Sequence, residues 1–216
     1  MTEIPSEAHT LHQEGRKAGA EGDLVRALEL LFRAHQLAPD WAYPPYDIAF
    51  TYLLNEDLEE AEKWYAVVDS LEPRGFFTAK TFLHTIRRER SGELPRGFSK
   101  AFAMLEWLPE DTQRDALQKI VASFPAFAPA WKQLAYLTGD EDAKLEALNR
   151  GLAADPDDET YGMLMLNKAL LVGRRGQRAL GKQMLHELLG DQRCTAGVEA
   201  LARMSIRDGS DEAKPN

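Results

Sequence analysis

The sequence predicts an all-α protein built from stacked helical hairpins, about twelve helices in all. Three observations lead there. The first is a period of 34 residues: Gly15, Asp23, Leu24, Ala27 and Pro39 recur as Ala49, Asp57, Leu58, Ala61 and Pro73. The second is that each period holds two runs of apolar residues at helical spacing. The third is that the chain shows no alternating strand run and no Asn-Gly or Asp-Gly hairpin signal between strand-like segments. A repeat of this length made of two helices cannot bury its apolar face alone, so neighbouring units must stack.

The elements follow in chain order. Leu11 and Ala18 mark a first helix. Leu24, Leu28, Leu31 and Leu37 mark a second, with Asp23 placed to cap it and Pro39 to end it. Residues 42–54 and 58–71 repeat the pattern, closed by Pro73. The third unit drifts. Phe82, Leu83 and Ile86 keep the 34-residue phase, but Gly97 and Pro109 fall 36 after Ala61 and Pro73. A two-residue insertion in the turn Ser91–Pro95 accounts for the shift, since turns accept insertions readily. A helix at 111–123 follows without an obvious hairpin partner. The pattern resumes with Trp131, Leu134 and Ala135, a turn at Gly139-Asp140, and a helix with Leu145, Leu148 and Leu152 inward. A fifth unit spans Met163 to Leu189, and residues 195–207 read as a capping helix. The expected organisation is thus three hairpins in 8–108, an irregular junction in 109–127, hairpins and cap in 128–207, and a disordered tail in 208–216.

The run Leu11…Gly15…Ala18…Gly22-Asp23-Leu24…Ala27-Leu28…Leu31…Ala34…Pro39 resembles a tetratricopeptide repeat (TPR), and Ala49…Tyr52…Asp57-Leu58…Ala61…Tyr65…Pro73 matches almost as well. The resemblance covers about residues 8–190, strongly in 8–74. It implies a TPR-like α-α superhelix. Small residues would let the helices of a hairpin approach, aromatic or Leu residues would fill the wedge between hairpins, and a concave groove would be lined by each first helix. Members of this family commonly bind protein segments there.

On that geometry the groove positions are His9, His12, Arg16 and Gly19; Tyr43, Tyr46, Phe50 and Leu53; Phe77, Lys80, His84 and Arg87. Two later helices add Pro129, Lys132, Tyr136 and Gly139, then Tyr161, Leu164, Lys168 and Leu171. None is acidic, where the chain's average composition gives about three in twenty. Acid-poor patches rich in aromatics and Arg are typical of protein-binding surfaces. The partner-binding set is therefore His12, Arg16, Tyr43, Tyr46, Phe50, Phe77, Lys80, His84 and Arg87, and the expected partner is a protein or peptide segment that is acidic and partly apolar. One TPR subfamily clamps a chaperone's C-terminal carboxylate. The matching positions here are His12, Arg16, Asp47, Phe77 and Thr81, of which only Arg16 keeps a useful charge, so that clamp is rejected.

The charge balance, 35 acids against 26 Lys and Arg for a net −9, opposes general attraction to nucleic acid or an anionic membrane. The alternatives are a self-assembling structural protein and, more weakly, an RNA-binding helical repeat whose stripe stacks bases. An enzyme is not expected: no nucleophile–base order, zinc motif or paired carboxylates stand in a supporting context. The single Cys194 excludes an internal disulfide and reads as an inert thiol. His9 and His12 are too few for a metal site, and Gly173-Arg174-Arg175-Gly176 follows a helix and reads as a turn rather than a phosphate loop. No cofactor is expected. With no secretory leader or long apolar stretch, the sequence reads as cytoplasmic.

Overall fold

The computed structural model describes residues 3–211 of the chain. These residues form twelve α-helices and one 3-10 turn, with no strand among them. They divide into two compact units, Met1–Ala103 and Met104–Asn216.

In the first unit, α1 (Ser6–Ala20) pairs with α2 (Leu24–Leu37) and α3 (Tyr43–Leu54) with α4 (Leu58–Leu71); α2 also packs on α3, and α4 on α5 (Ala79–Arg90). The short α6 (Phe98–Met104) follows. The repeat explains the geometry. Asp23 and Asp57 each cap the following helix, accepting hydrogen bonds from Arg26 N at 3.1 Å and Glu60 N at 3.2 Å. Ala27 and Ala61 are fully buried. A Cβ on Gly15 would lie 2.8 Å from Leu31 Cγ and 3.3 Å from the Ala27 carbonyl oxygen, so α1 and α2 approach as closely as they do because residue 15 has no side chain. Between hairpins, Tyr65 stacks on Phe82 with centroids 5.7 Å apart, inside a core with Ile86, Leu53 and Val68.

The third hairpin departs from the sequence reading. Gly97, which the 36-residue offset pairs with the helical Ala61, lies ahead of α6 with φ +82°. The Glu89 carboxylate, buried at the end of α5, accepts hydrogen bonds from the backbone N–H of Gly97 and of Ser99, the latter at 2.7 Å. This side-chain cap fixes where α6 begins. The helix is seven residues long and passes into a 3-10 turn, Leu105–Trp107.

In the second unit, α7 (Glu110–Ser123) packs on α8 (Ala128–Leu137), which pairs with α9 (Glu141–Ala153). Next, α10 (Asp158–Arg174) pairs with α11 (Arg178–Gly190), and α12 (Ala196–Asp211) packs on both. Asp140 and Asp157 repeat the capping device at α9 and α10. The core of this end joins Leu166, Ala169, Leu185, Leu188, Val198 and Ala202, and it encloses Cys194. The helix α12 continues to Asp211, into the span 208–216 that the sequence reads as a tail; residues 212–216 lie outside the described residues.

Candidate functional site

The stripe expected along α1, α3 and α5 comes together in the first unit as a lattice of rings edged by ion pairs. Its rings come as much from the loops that feed α3 and α5 as from the helices. Trp41 enters from the loop before α3, and Phe76 and Phe77 from the loop before α5. Tyr43 meets Phe76 at 4.9 Å and Phe77 at 5.6 Å between centroids, each nearly perpendicular. Tyr46 meets Phe77 at 5.4 Å, and its hydroxyl is hydrogen-bonded to Thr78 Oγ1 at 2.8 Å. On the other side, Trp41 lies 5.7 Å from Tyr43 and edge-on to His9 and His12. Such edge-to-face contacts add about 0.5–1.5 kcal/mol per pair beyond area burial.

Two rings of this lattice remain open to solvent: Tyr43 is 40% exposed and Phe77 62%. The sequence reading puts Phe77 on a helix. Instead it sits in the loop, with φ +50°. A left-handed conformation at a bulky side chain costs about 1–3 kcal/mol, and here it holds a large apolar ring outward.

The basic positions divide by their partners. His12 is only 5% exposed, and its Nε2 lies 2.7 Å from Asp47 Oδ2. That corrects its place in the partner-facing set, because it ties α1 to α3 beneath the rings rather than facing solvent. Arg16 is 65% exposed and stands 3.7 Å from the same Asp47 oxygen. Lys80 donates to Asp69 Oδ1 at 2.6 Å and is largely buried. Arg87 donates to Glu62 Oε1 at 3.0 Å, and Arg90 holds the other oxygen of that carboxylate. Partial burial pushes the Glu62 carboxyl up, but hydrogen bonds from Arg87 and Arg90 outweigh it and hold it below the usual glutamate range. Phe50 packs half-buried against the Tyr65–Phe82 core, and His84 is half-buried.

A stripe free of acids in sequence is therefore not free of acids in space. Asp47 comes from the unassigned side of α3, and Glu62 and Asp69 from α4. Their signal was the i, i+7 spacing of Glu62 and Asp69, which puts both on the side of α4 that holds Tyr65 and meets α5. Trp41 and Phe76 gave no periodic signal because they lie in loops.

The second-unit positions do not extend this lattice. Pro129, Leu164 and Leu171 are buried in the core, as Leu53 is in the first unit. The Tyr136 hydroxyl accepts from Asn167 Nδ2 at 3.1 Å. The Tyr161 hydroxyl donates to Asp191 at 2.8 Å while the Arg193 guanidinium lies over its ring, 3.4 Å from the centroid. Burial lowers the Lys132 ammonium against the pull of Asp157, Glu159 and Glu106. These groups clamp helices and loops together.

Among the described residues no group of three or more His, Cys, Asp or Glu is arranged to hold a metal ion, and no helix is long and apolar enough to cross a membrane.

These features define a class: an all-α protein of paired helical hairpins of TPR-like type. No protein-family model matches the chain, and no curated protein matches it. Solved structures similar to it include three TPR-type or related chains. MamA 41-end from Desulfovibrio magneticus RS-1 is 15% identical over 94% of this chain and 98% of that chain, with a TM-score of 0.40. YrrB, a TPR protein with an unusual peptide-binding site, is 16% identical over 91% and 90%, with a TM-score of 0.41. A thermophilic TPR protein of Thermus thermophilus, TTC0263, is 17% identical over 92% and 98%, with a TM-score of 0.40. The fold class rests on this chain's own hairpins.

Proposed function

We propose that the protein is a non-catalytic interaction module, and that the ring lattice of the first unit and its basic edge bind an acidic, partly apolar segment of a protein partner. The observation that carries this reading is the pair of open rings, Tyr43 and Phe77, held 5.6 Å apart against the half-buried Tyr46 and Phe76. Rigid, partly desolvated aromatics of this kind dominate binding energy at protein interfaces. Tyr46 supports the anchor through its contact with Phe77, while Phe50 packs on Phe82. Arg16 is the cation best placed to meet a partner's carboxylate, because the Asp47 it approaches is already engaged by His12. Lys80 and Arg87 contribute by exchanging Asp69 and Glu62 for partner carboxylates.

The test is capture of partners from the native cell by the full chain and by a variant carrying Lys80→Glu and Arg87→Glu, with helical circular dichroism checked first. Loss of the captured set supports the reading. Equal yield of the same partners makes the stripe a solvated basic face.

A further inference from the structure

We infer that the apolar part of the bound segment is proline-rich and lies across Trp41, Tyr43 and Phe77 as a polyproline II helix. The inference rests on the reading above and specifies the chemistry of the anchor.

Three observations narrow the ligand. First, the fold offers no sheet edge among the described residues, so strand addition is excluded as a mode of capture. Second, each carboxylate of the basic stripe is already held by a cation: His12 and Arg16 face Asp47, Lys80 holds Asp69, and Arg87 with Arg90 holds Glu62. The rings themselves carry no charge, so the part of the segment that lies on them is uncharged, while Arg16 at the edge remains for a partner carboxylate. Third, two side-chain donors at the rings are uncommitted. Among the described residues the Tyr43 hydroxyl makes no hydrogen bond, and the Trp41 indole N–H has no protein partner and is not buried.

Open aromatic faces beside free N–H and O–H donors are what a polyproline II segment requires. Its pyrrolidine rings pack on aromatic faces, and it has no internal hydrogen bonds, so its carbonyl oxygens are available to accept. Proline also limits the entropy lost on binding, because its φ is already fixed. The Tyr43 and Phe77 rings meet edge to face at 81°, so together they present an exposed aromatic corner against which a proline ring can pack. Trp41, 5.7 Å from Tyr43, continues the aromatic surface by one further ring. An aliphatic anchor on a helical segment would use the rings but bring no free carbonyl to either donor, because a helix commits its carbonyls to its own hydrogen bonds.

Fluorescence anisotropy of labelled decaproline, titrated with the full chain, tests this. A second labelled peptide of equal length carries Glu and Leu and no proline. Saturable binding of decaproline is expected. Tyr43→Phe removes one donor and keeps the ring, and should weaken it ~3–10-fold, the effect of one hydrogen bond. Phe77→Ala should weaken it further, and thermal melts of both variants confirm that the fold persists. Decaproline binding that is unchanged in both variants overturns the inference, because the site is then elsewhere. If the Glu/Leu peptide binds and decaproline does not, the proline inference fails while the interaction module stands. If neither binds, the inference fails too, and the module is decided by the partner capture.

Discussion

Ala61 shows how little freedom a single residue has in this fold. It is fully buried where α4 faces α3, in the same position that Ala27 holds in the preceding hairpin. Adding an isobutyl group there must push the two helices apart or force neighbours off their rotamers. Ala61→Leu is expected to cost about 1–3 kcal/mol, read as a lower denaturation midpoint with an unchanged slope. An unchanged midpoint would put the packing register in doubt. Glu62, one residue on, behaves differently, because it faces Arg87 and Arg90 rather than the core. Its carboxyl titrates below its ordinary 4.5 in the folded chain. The unfolded state therefore binds its proton first as pH falls. The stability it supplies is fully present above that ordinary value and disappears as pH drops through the folded one. Glu62→Gln should thus lower the melting temperature at pH 7, and the gap to the parent should narrow as the buffer is taken below pH ~4. A gap that stays constant with pH would mean that the two arginines do not stabilise the fold through this carboxylate.

At the scale of the element, the hairpin turn and the helix cap decide where helices start and stop. The turn between α1 and α2 places Gly22 at φ +85°, and the turn between α3 and α4 places Glu56 at φ +61° in the equivalent position, 34 residues on. Glycine takes this conformation without strain and glutamate does not. Glu56→Gly should raise the melting temperature despite the loss of its exposed contact with Lys100, while Gly22→Val should lower it. If both substitutions were neutral, the turns would not be held left-handed in solution. The cap of α6 is a second case. Its first backbone donors are met by Glu89 rather than by a residue of the usual capping position. Glu89→Ala leaves those donors orphaned inside the protein, for an expected loss of about 1–3 kcal/mol. Hydrogen exchange should show the α6 amides losing protection before those of α3 and α4.

At the scale of the whole molecule, the chain divides into two compact units, each with an apolar cluster of its own. The cluster around Tyr65 and Phe82 draws only on residues of the first unit, and the one around Leu185 and Val198 only on the second. A fragment of residues 1–108, which retains all of α6, is therefore expected to keep its helical signal and melt cooperatively. The ring lattice lies wholly within it, so it should also keep the partner-binding activity proposed for the full chain. A broad, uncooperative melt would show that the first unit depends on the second. Binding through Arg16 and its neighbours should weaken with added salt, since charges at an open surface are screened beyond about 8–10 Å.

The sequence by itself determined the fold class, most helix boundaries and the hairpin caps. Each of these follows from local chemistry: a 34-residue period, a small residue where helices touch, an aspartate ahead of a helix, a proline after it. Residues such as Asp23, Ala27 and Asp57 mean the same thing in the chain as in the fold, because their partners are near in sequence. The stripe was legible in part for the same reason. Tyr43, Tyr46, Arg16 and Arg87 can be placed by helical phase. What only the tertiary structure decided is which of those groups are available. His12 lies 35 residues from the Asp47 that occupies it, and Arg87 lies 25 from Glu62. No periodicity along one helix records a partner on the next. The loop residues Trp41 and Phe76 escape for a related reason: outside a regular element there is no phase to read, and Phe77, which the phase assigns to a helix, lies in the same loop as Phe76. The left-handed φ that turns Phe77 to solvent is set by the chain around it rather than by its own preference.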